Sequence, residues 1–227
     1  MTRATYAELG DACATAHAME LIGNRWTYPI LRELMLGPKR FNALLASVRG
    51  ITPAVLTARL CELTDTGLVE PVLDAPTFHA YALTAWAREL APTLRELGRW
   101  AQSSPSRSSS GGLTPDAVVQ AMITMAEGLT PARDVHTQLR LFDARGDVPT
   151  DVNYCLRWDA EGFTARRSDC TDAATTVRCD SSTWGRVLFS GLPIEDGAIT
   201  ITGDHRAARR LVSAFRSAKA RRRQQAN

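Results

Sequence analysis

Between Arg25 and Arg59 the chain carries six basic side chains, Arg25, Arg32, Lys39, Arg40, Arg49 and Arg59, against the single acid Glu33. Residues 1–104 as a whole balance, with ten basic and ten acidic residues, so the excess is local. The net charge of +3 over 227 residues is too small to argue for nucleic acid, but a local cluster is what phosphate would attract. Lys39, Arg40 and Arg49 are candidate phosphate contacts. Thr52, Pro53, Thr57, Ala58 and Arg59 are candidates for reading base edges, and His79 is a further candidate. A different chemistry is available at Cys13, a thiol at the start of a helical pattern, where the helix dipole favours the thiolate. A packing cysteine is the alternative there. The five cysteines have no CxxC spacing, so neither a zinc site nor a disulfide framework is indicated and reduced thiols are expected. The four histidines are scattered, His17 reading as a surface partner of Glu20, and no G-x-S-x-G or P-loop spacing occurs. No catalytic residue, metal or cofactor is assigned, and the chain does not read as an enzyme.

The elements that must position these side chains are legible in the same stretch. Thr52 is suited to cap a helix and Pro53 to begin it, Leu56, Leu60 and Leu63 form one apolar stripe, and Gly67 closes the segment. Before it, Cys13–Ile22 and Trp26–Leu36 have helical periodicity, Gly37-Pro38 breaks the pattern, and Phe41, Leu44, Leu45 and Val48 make a short helix. A short helix, a turn with Gly50 and a capped second helix form a helix-turn-helix. After Gly67 the period becomes two. Residues 68–72 and 78–83 read as strands joined by a turn at 74–77, a hairpin placed as a wing. Thr84 caps a final helix, 84–101, with a seam of Leu83, Ala87, Leu90, Leu94, Leu97 and Ala101, kinked by Pro92. That seam and the helix at 13–22 are the expected homodimer contacts.

The runs Leu21-Ile22-Gly23-Asn24-Arg25-Trp26-Thr27, Gly37-Pro38-Lys39-Arg40-Phe41, Gly50-Ile51-Thr52-Pro53, Gly67-Leu68-Val69 and Tyr81-Ala82-Leu83-Thr84, in that order, resemble the HxlR-type winged helix-turn-helix regulators of bacteria. The resemblance covers residues 13–101 and implies a homodimeric DNA-binding transcription factor acting on a double-stranded operator. In many members a redox-sensing cysteine lies near the position of Cys13. The wing turn here lacks the basic residue common in the family, and Ala54 stands where a polar or basic residue is frequent.

Residues 102–112, QSSPSRSSSGG, have no apolar anchor and read as a flexible linker between a domain at 1–101 and one at 113–217. The second domain begins with a helix capped by Thr114-Pro115. Alternating segments at 135–142, 152–158, 162–167 and 175–179 follow, then a helix capped by Asp180 or Ser181, a strand at 198–203 and a helix capped by Asp204. This order, with Asp180, Trp184, Leu188 and Gly191 paired to Gly197-Ala198-Ile199 and Gly203-Asp204, resembles the sterol carrier protein type-2-like fold. That resemblance implies an apolar tunnel, with Met122, Met125, Trp158, Trp184, Phe189 and Phe215 as candidate lining and an apolar small molecule as effector. Residues 218–227 form a basic tail, most simply a solvated end.

The fold class expected is therefore α+β: a winged helix-turn-helix followed by an α/β sandwich with a mostly antiparallel sheet. With no apolar run long enough for a membrane span and no secretory leader, a cytoplasmic protein without membrane contact is expected. The functional expectation is a DNA-binding transcriptional regulator, a repressor, whose second domain senses an apolar ligand. The alternatives are a ligand-binding protein with residual DNA binding, and a cysteine-based redox or electrophile sensor.

Overall fold

The computed structural model describes residues 4–75, 78–102, 104–106, 111–131, 133–146 and 149–225, without the side chains of residues 74, 75, 78 and 218–225. The chain divides into two compact units, 1–102 and 103–227. The linker positions 103 and 107–110 and the wing-turn positions 76 and 77 lie outside the described residues.

In the first unit, helices α1 (Ala14–Ile22), α2 (Thr27–Leu34), α3 (Phe41–Ser47) and α4 (Pro53–Asp65) precede strands β1 (Val69–Ala75) and β2 (Phe78–Leu83) and helices α5 (Ala85–Glu89) and α6 (Ala91–Ala101). Their core is Ile30, Leu31 and Leu34 of α2, Leu44 of α3 and Leu56, Leu60 and Leu63 of α4, closed by Leu68, Val69 and Leu83. The apolar stripe of each helix is what meets there, as its spacing requires. The hairpin is longer than the alternating segments predict. Pro71 faces Tyr81, whose backbone N–H and C=O turn away from it to bond Lys39 at 2.8 and 3.0 Å. Pro71 therefore occupies a position where no ladder N–H is needed, and the strand continues through it. The helix expected at 84–101 is two helices. Pro92 lacks an N–H and its ring opposes the carbonyl four residues back, so α5 stops before Leu90 and α6 starts afresh at Ala91.

The second unit contains α7 (Pro115–Ala126), β3 (Val135–Phe142), β4 (Val152–Asp159), β5 (Gly162–Arg166), β6 (Thr175–Asp180), α8 (Ser181–Phe189), β7 (Thr200–Gly203) and α9 (His205–Gln225). The sheet order is β5-β4-β3-β6-β7, antiparallel at every pairing except β3 with β6, so residues 167–174 must cross from one edge past two strands. Val135, Leu139, Leu141, Tyr154, Leu156, Trp158, Val177 and Cys179 are buried alternately along the strands, together with Val118 and Met122 of α7, Trp184 and Leu188 of α8 and Leu211 and Phe215 of α9. Asp180, not Ser181, caps α8, accepting from the Thr183 N–H at 2.9 Å. The last helix does not stop at 217. Ser217 to Gln225 contains neither Gly nor Pro, and the backbone stays helical through Gln225, so the residues read as a separate basic tail continue α9.

One further expectation is overturned in this unit. Cys155 and Cys170 form a disulfide, where reduced thiols were expected. The pair is invisible as a motif because β4 and the crossover segment supply one cysteine each, 15 positions apart. The six candidate tunnel residues differ in their surroundings. Met122, Trp184 and Phe215 are fully buried core residues. Trp158, Phe163, Phe189 and Phe215 stack on one another, with Trp158 and Phe215 centroids 4.8 Å apart. Met125 is half-buried. Only Trp158 borders a cleft of about 290 Å³, shared with Leu129, Pro131, Val135, Arg210 and Ala214.

Candidate nucleic-acid interface

Helix α4 has two faces of opposite character. Leu56, Leu60 and Leu63 fix it to the core, while Thr52, Pro53, Ala54, Val55, Thr57, Ala58 and Cys61 are exposed. The exposed residues at 53, 54, 57, 58 and 61 recur at one-turn spacing, so they share the outer face. Thr52 Oγ1 accepts from the Val55 N–H at 3.4 Å, and Thr57 Oγ1 donates to the Pro53 carbonyl at 3.0 Å. The Thr57 hydroxyl keeps acceptor capacity toward whatever the face meets.

The predicted cations divide. Arg40, just before α3, and Arg49, in the turn before α4, are exposed on either side of the short helix. Arg59 is half-buried and paired with Glu62 one turn on. Lys39 is turned inward: its Nζ donates to Glu33 Oε2 at 2.7 Å and to Ser47 Oγ at 3.1 Å. Glu33, fully buried, also receives Arg32 at 2.9 Å. The lysine charge thus neutralises a buried acid, a role that the expectation of a phosphate contact missed. His79 is exposed on β2 opposite exposed Leu73, so the hairpin carries both an imidazole and an apolar side chain near its tip. Val55 and Leu73 were not singled out by sequence; only their failure to fit an apolar stripe could have shown them.

Cys13 is exposed at the N-terminus of α1. The N–H groups of Ala16 and, next, Thr15 face its sulfur and hold its pKa below that of an ordinary thiol. Cys179 is the opposite case, its thiol pushed up to about 12 by burial and inert. Around α1, no residue of the helix is fully buried, and Met19, Trp86, Leu97 and Trp100 are exposed apolar side chains of the first unit. Leu97 and Trp100 are 40% and 77% exposed.

The family model described as HxlR-like helix-turn-helix matches residues 21–109. An HTH-type transcriptional regulator of Synechocystis is 35% identical over 89 residues, 38% of this chain and 66% of the relative. The chain therefore spans just under two thirds of that relative's length. The HTH-type transcriptional regulator YvaP of Bacillus subtilis is 33% identical over 86 residues, 37% of this chain and 80% of YvaP. Among solved structures, the reduced form of the transcriptional regulator YodB from Bacillus subtilis aligns at 31% identity and a TM-score of 0.39, covering 44% of this chain and 100% of YodB. YodB is also known in diamide-treated and quinone-bound forms.

Proposed function

The chain belongs to the HxlR-like helix-turn-helix family, and we propose that it is a DNA-binding transcription regulator that acts as a repressor. In this reading the outer face of α4 enters the major groove, with Thr52, Pro53, Thr57, Ala58 and Arg59 at base edges, Arg40 and Arg49 on phosphate and His79 on the wing. The observation that carries it is α4 itself: three leucines hold one face in the core while the opposite face is exposed, small and flanked by arginine. A homodimer is built from α1, α5 and α6, whose exposed Leu97 and Trp100 supply apolar area a monomer leaves in water. Two copies then address half-sites about 34 Å apart. The second unit, with a sterol-carrier-like order of elements, senses an apolar small molecule, and the cleft at Trp158 is its candidate site.

Fluorescence anisotropy with the DNA upstream of the coding sequence, at two salt concentrations, tests this reading. A sequence-preferring complex that weakens with salt supports it, whereas equal affinity for scrambled DNA removes the regulator. A second reading, redox or electrophile sensing, is favoured by the exposed Cys13 at a helix N-terminus that stabilises its thiolate. Loss of a diamide response of DNA binding in Cys13→Ser supports that reading; an unchanged response ends it.

A further inference from the structure

The crossover segment 167–174 is laid over the open face of the second unit's sheet, and two of its residues are pinned there by three contacts. Asp169 Oδ1 accepts from Asn153 Nδ2 at 2.7 Å. The Cys170 N–H donates to the side-chain oxygen of Gln138 at 2.6 Å, and Gln138, itself buried, also donates to the Tyr154 carbonyl at 3.3 Å. Cys170 Sγ is bonded to Cys155 of β4. Beside this pair stands His136 of β3, its Nε2 3.4 Å from Cys155 Sγ and 3.6 Å from the Asp172 carboxylate. The ligand atoms of His136, Cys155 and Cys170 all lie within 4.8 Å of one another.

Two of these separations match edges of a zinc tetrahedron. With Zn–N, Zn–S and Zn–O bonds of about 2.0–2.3 Å, tetrahedral ligands sit about 3.5 Å apart for nitrogen and sulfur, about 3.4 Å for nitrogen and oxygen, and about 3.8 Å for two sulfurs. Of the six edges, the nitrogen–sulfur one at 3.4 Å and the nitrogen–oxygen one at 3.6 Å are present already. The sulfur pair must open when its bond is reduced, and the Asp172 carboxylate, which also faces Arg157 at 3.6 Å and stands outside the 4.8 Å cluster of the other three, must close on the sulfurs. The Gln138 bond holds the Cys170 backbone whether or not the disulfide exists, so the reduced thiols stay close to His136. We propose that, with Cys155 and Cys170 reduced, their two thiolates, the His136 imidazole and the Asp172 carboxylate hold one zinc(II) ion, and that the disulfide is the oxidised, metal-free form of this site. Zinc binding displaces the two thiol protons. Hydrogen peroxide reverses it: the two sulfurs give up two electrons and join, the O–O bond breaks to leave two hydroxides, and the zinc ion departs. The expectation of a reduced state in the cell rests on the DNA-binding reading, since DNA lies in compartments that keep thiols reduced. The metal site is measured without DNA, so either reading can fail while the other stands.

The test uses the full chain carrying Cys13→Ser and Cys61→Ser, which removes the exposed thiols elsewhere. Treated with a phosphine reductant and freed of metal, it is titrated with cobalt(II) chloride and then zinc chloride. Expected are one cobalt per chain, thiolate-to-cobalt charge-transfer absorption with the visible bands of a tetrahedral ion, and loss of both on adding zinc. The oxidised chain should take up none, and peroxide should release bound zinc into a chromogenic chelator while restoring the disulfide. His136→Asn keeps both cysteines and should form the same disulfide on oxidation, and after reduction it should bind cobalt at least ~10-fold more weakly. A reduced chain without the tetrahedral spectrum, an unchanged affinity in His136→Asn, or equal uptake by the oxidised chain overturns the proposal.

Discussion

Glu33 offers the sharpest test of how the first unit divides its charges between fold and DNA. Its carboxylate is 0% exposed and bonds Lys39 Nζ at 2.7 Å and Arg32 Nη2 at 2.9 Å, the two cations being 11% and 21% exposed. Glu33→Gln leaves both facing a neutral amide with one acceptor oxygen. Breaking a fully buried pair costs about 3–5 kcal/mol. Arg32 can recover water and Lys39 keeps Ser47 Oγ at 3.1 Å, so the discounted cost is about 2–3 kcal/mol. For a unit of 102 residues this lowers the melting temperature by roughly 8–20 °C. Calorimetry of the full chain should resolve two transitions, and Leu56→Ala, a fully buried side chain worth ~2–5 kcal/mol, marks the one belonging to the first unit. Glu33→Gln must move that same transition. The companion variant Lys39→Gln should also lower it, yet leave the dependence of log K on log salt for operator DNA unchanged, because a lost phosphate contact would reduce that slope by about 0.9. A loss below ~0.5 kcal/mol in Glu33→Gln, or a slope that falls by about one in Lys39→Gln, refutes the division of roles.

Arg59 must leave Glu62 to reach a base, so Arg59→Ala should weaken operator binding by ~1–3 kcal/mol in a gel-shift titration, while Glu62→Gln should tighten it. Weaker binding in Glu62→Gln would mean the pair itself is needed. Leu97→Glu places a charge on the exposed face of α6 and should convert a dimer to a monomer by light scattering, with a loss of cooperative DNA binding; an unchanged mass removes α6 from the interface. Because its thiolate is favoured by the helix N-terminus, Cys13 should be alkylated by iodoacetamide with a midpoint below the ~8.5 of a free cysteine. Reactivity therefore persists as pH falls below that point and is lost only through the lower, folded-state value. A midpoint at or above ~8.5, measured by peptide mapping, contradicts the assignment.

What was legible in the sequence was local. Thr52-Pro53 and the leucines at 56, 60 and 63 specify α4 because cap, start and stripe all lie within a few residues of one another. The strands of the second unit were legible for the same reason, since alternation is a nearest-neighbour pattern. What escaped was decided by residues distant in sequence. Glu33 looks like any acid beside Arg32 on an amphipathic helix until the loop after α2 brings Lys39 over it. Cys155 and Cys170 look unrelated until the crossover carries one past the other. The candidate tunnel residues share a type and not a pattern, and aromatic type alone cannot separate a lining from a core in which rings pack on one another.

Hydrogen bonding within α4 limits how that helix can discriminate bases. Thr52 is engaged in capping, the Thr57 proton goes to the Pro53 carbonyl, and Arg59 is held by Glu62. What remains on the outer face, beside the acceptor of Thr57, is small: Pro53, Ala54, Ala58 and the thiol of Cys61. Such a surface offers contact to the thymine methyl and no strong donor for the acceptors of guanine. If α4 enters the groove as proposed, selection from random DNA should enrich thymine opposite Ala54 and Ala58, with at most one guanine per half-site, read by Arg59 once it leaves Glu62. Substituting Ala58→Gln should then shift the preference at one position from thymine toward adenine, which accepts a bidentate amide. A guanine-rich half-site read with Arg59 removed would place recognition on another element and sink this account of α4.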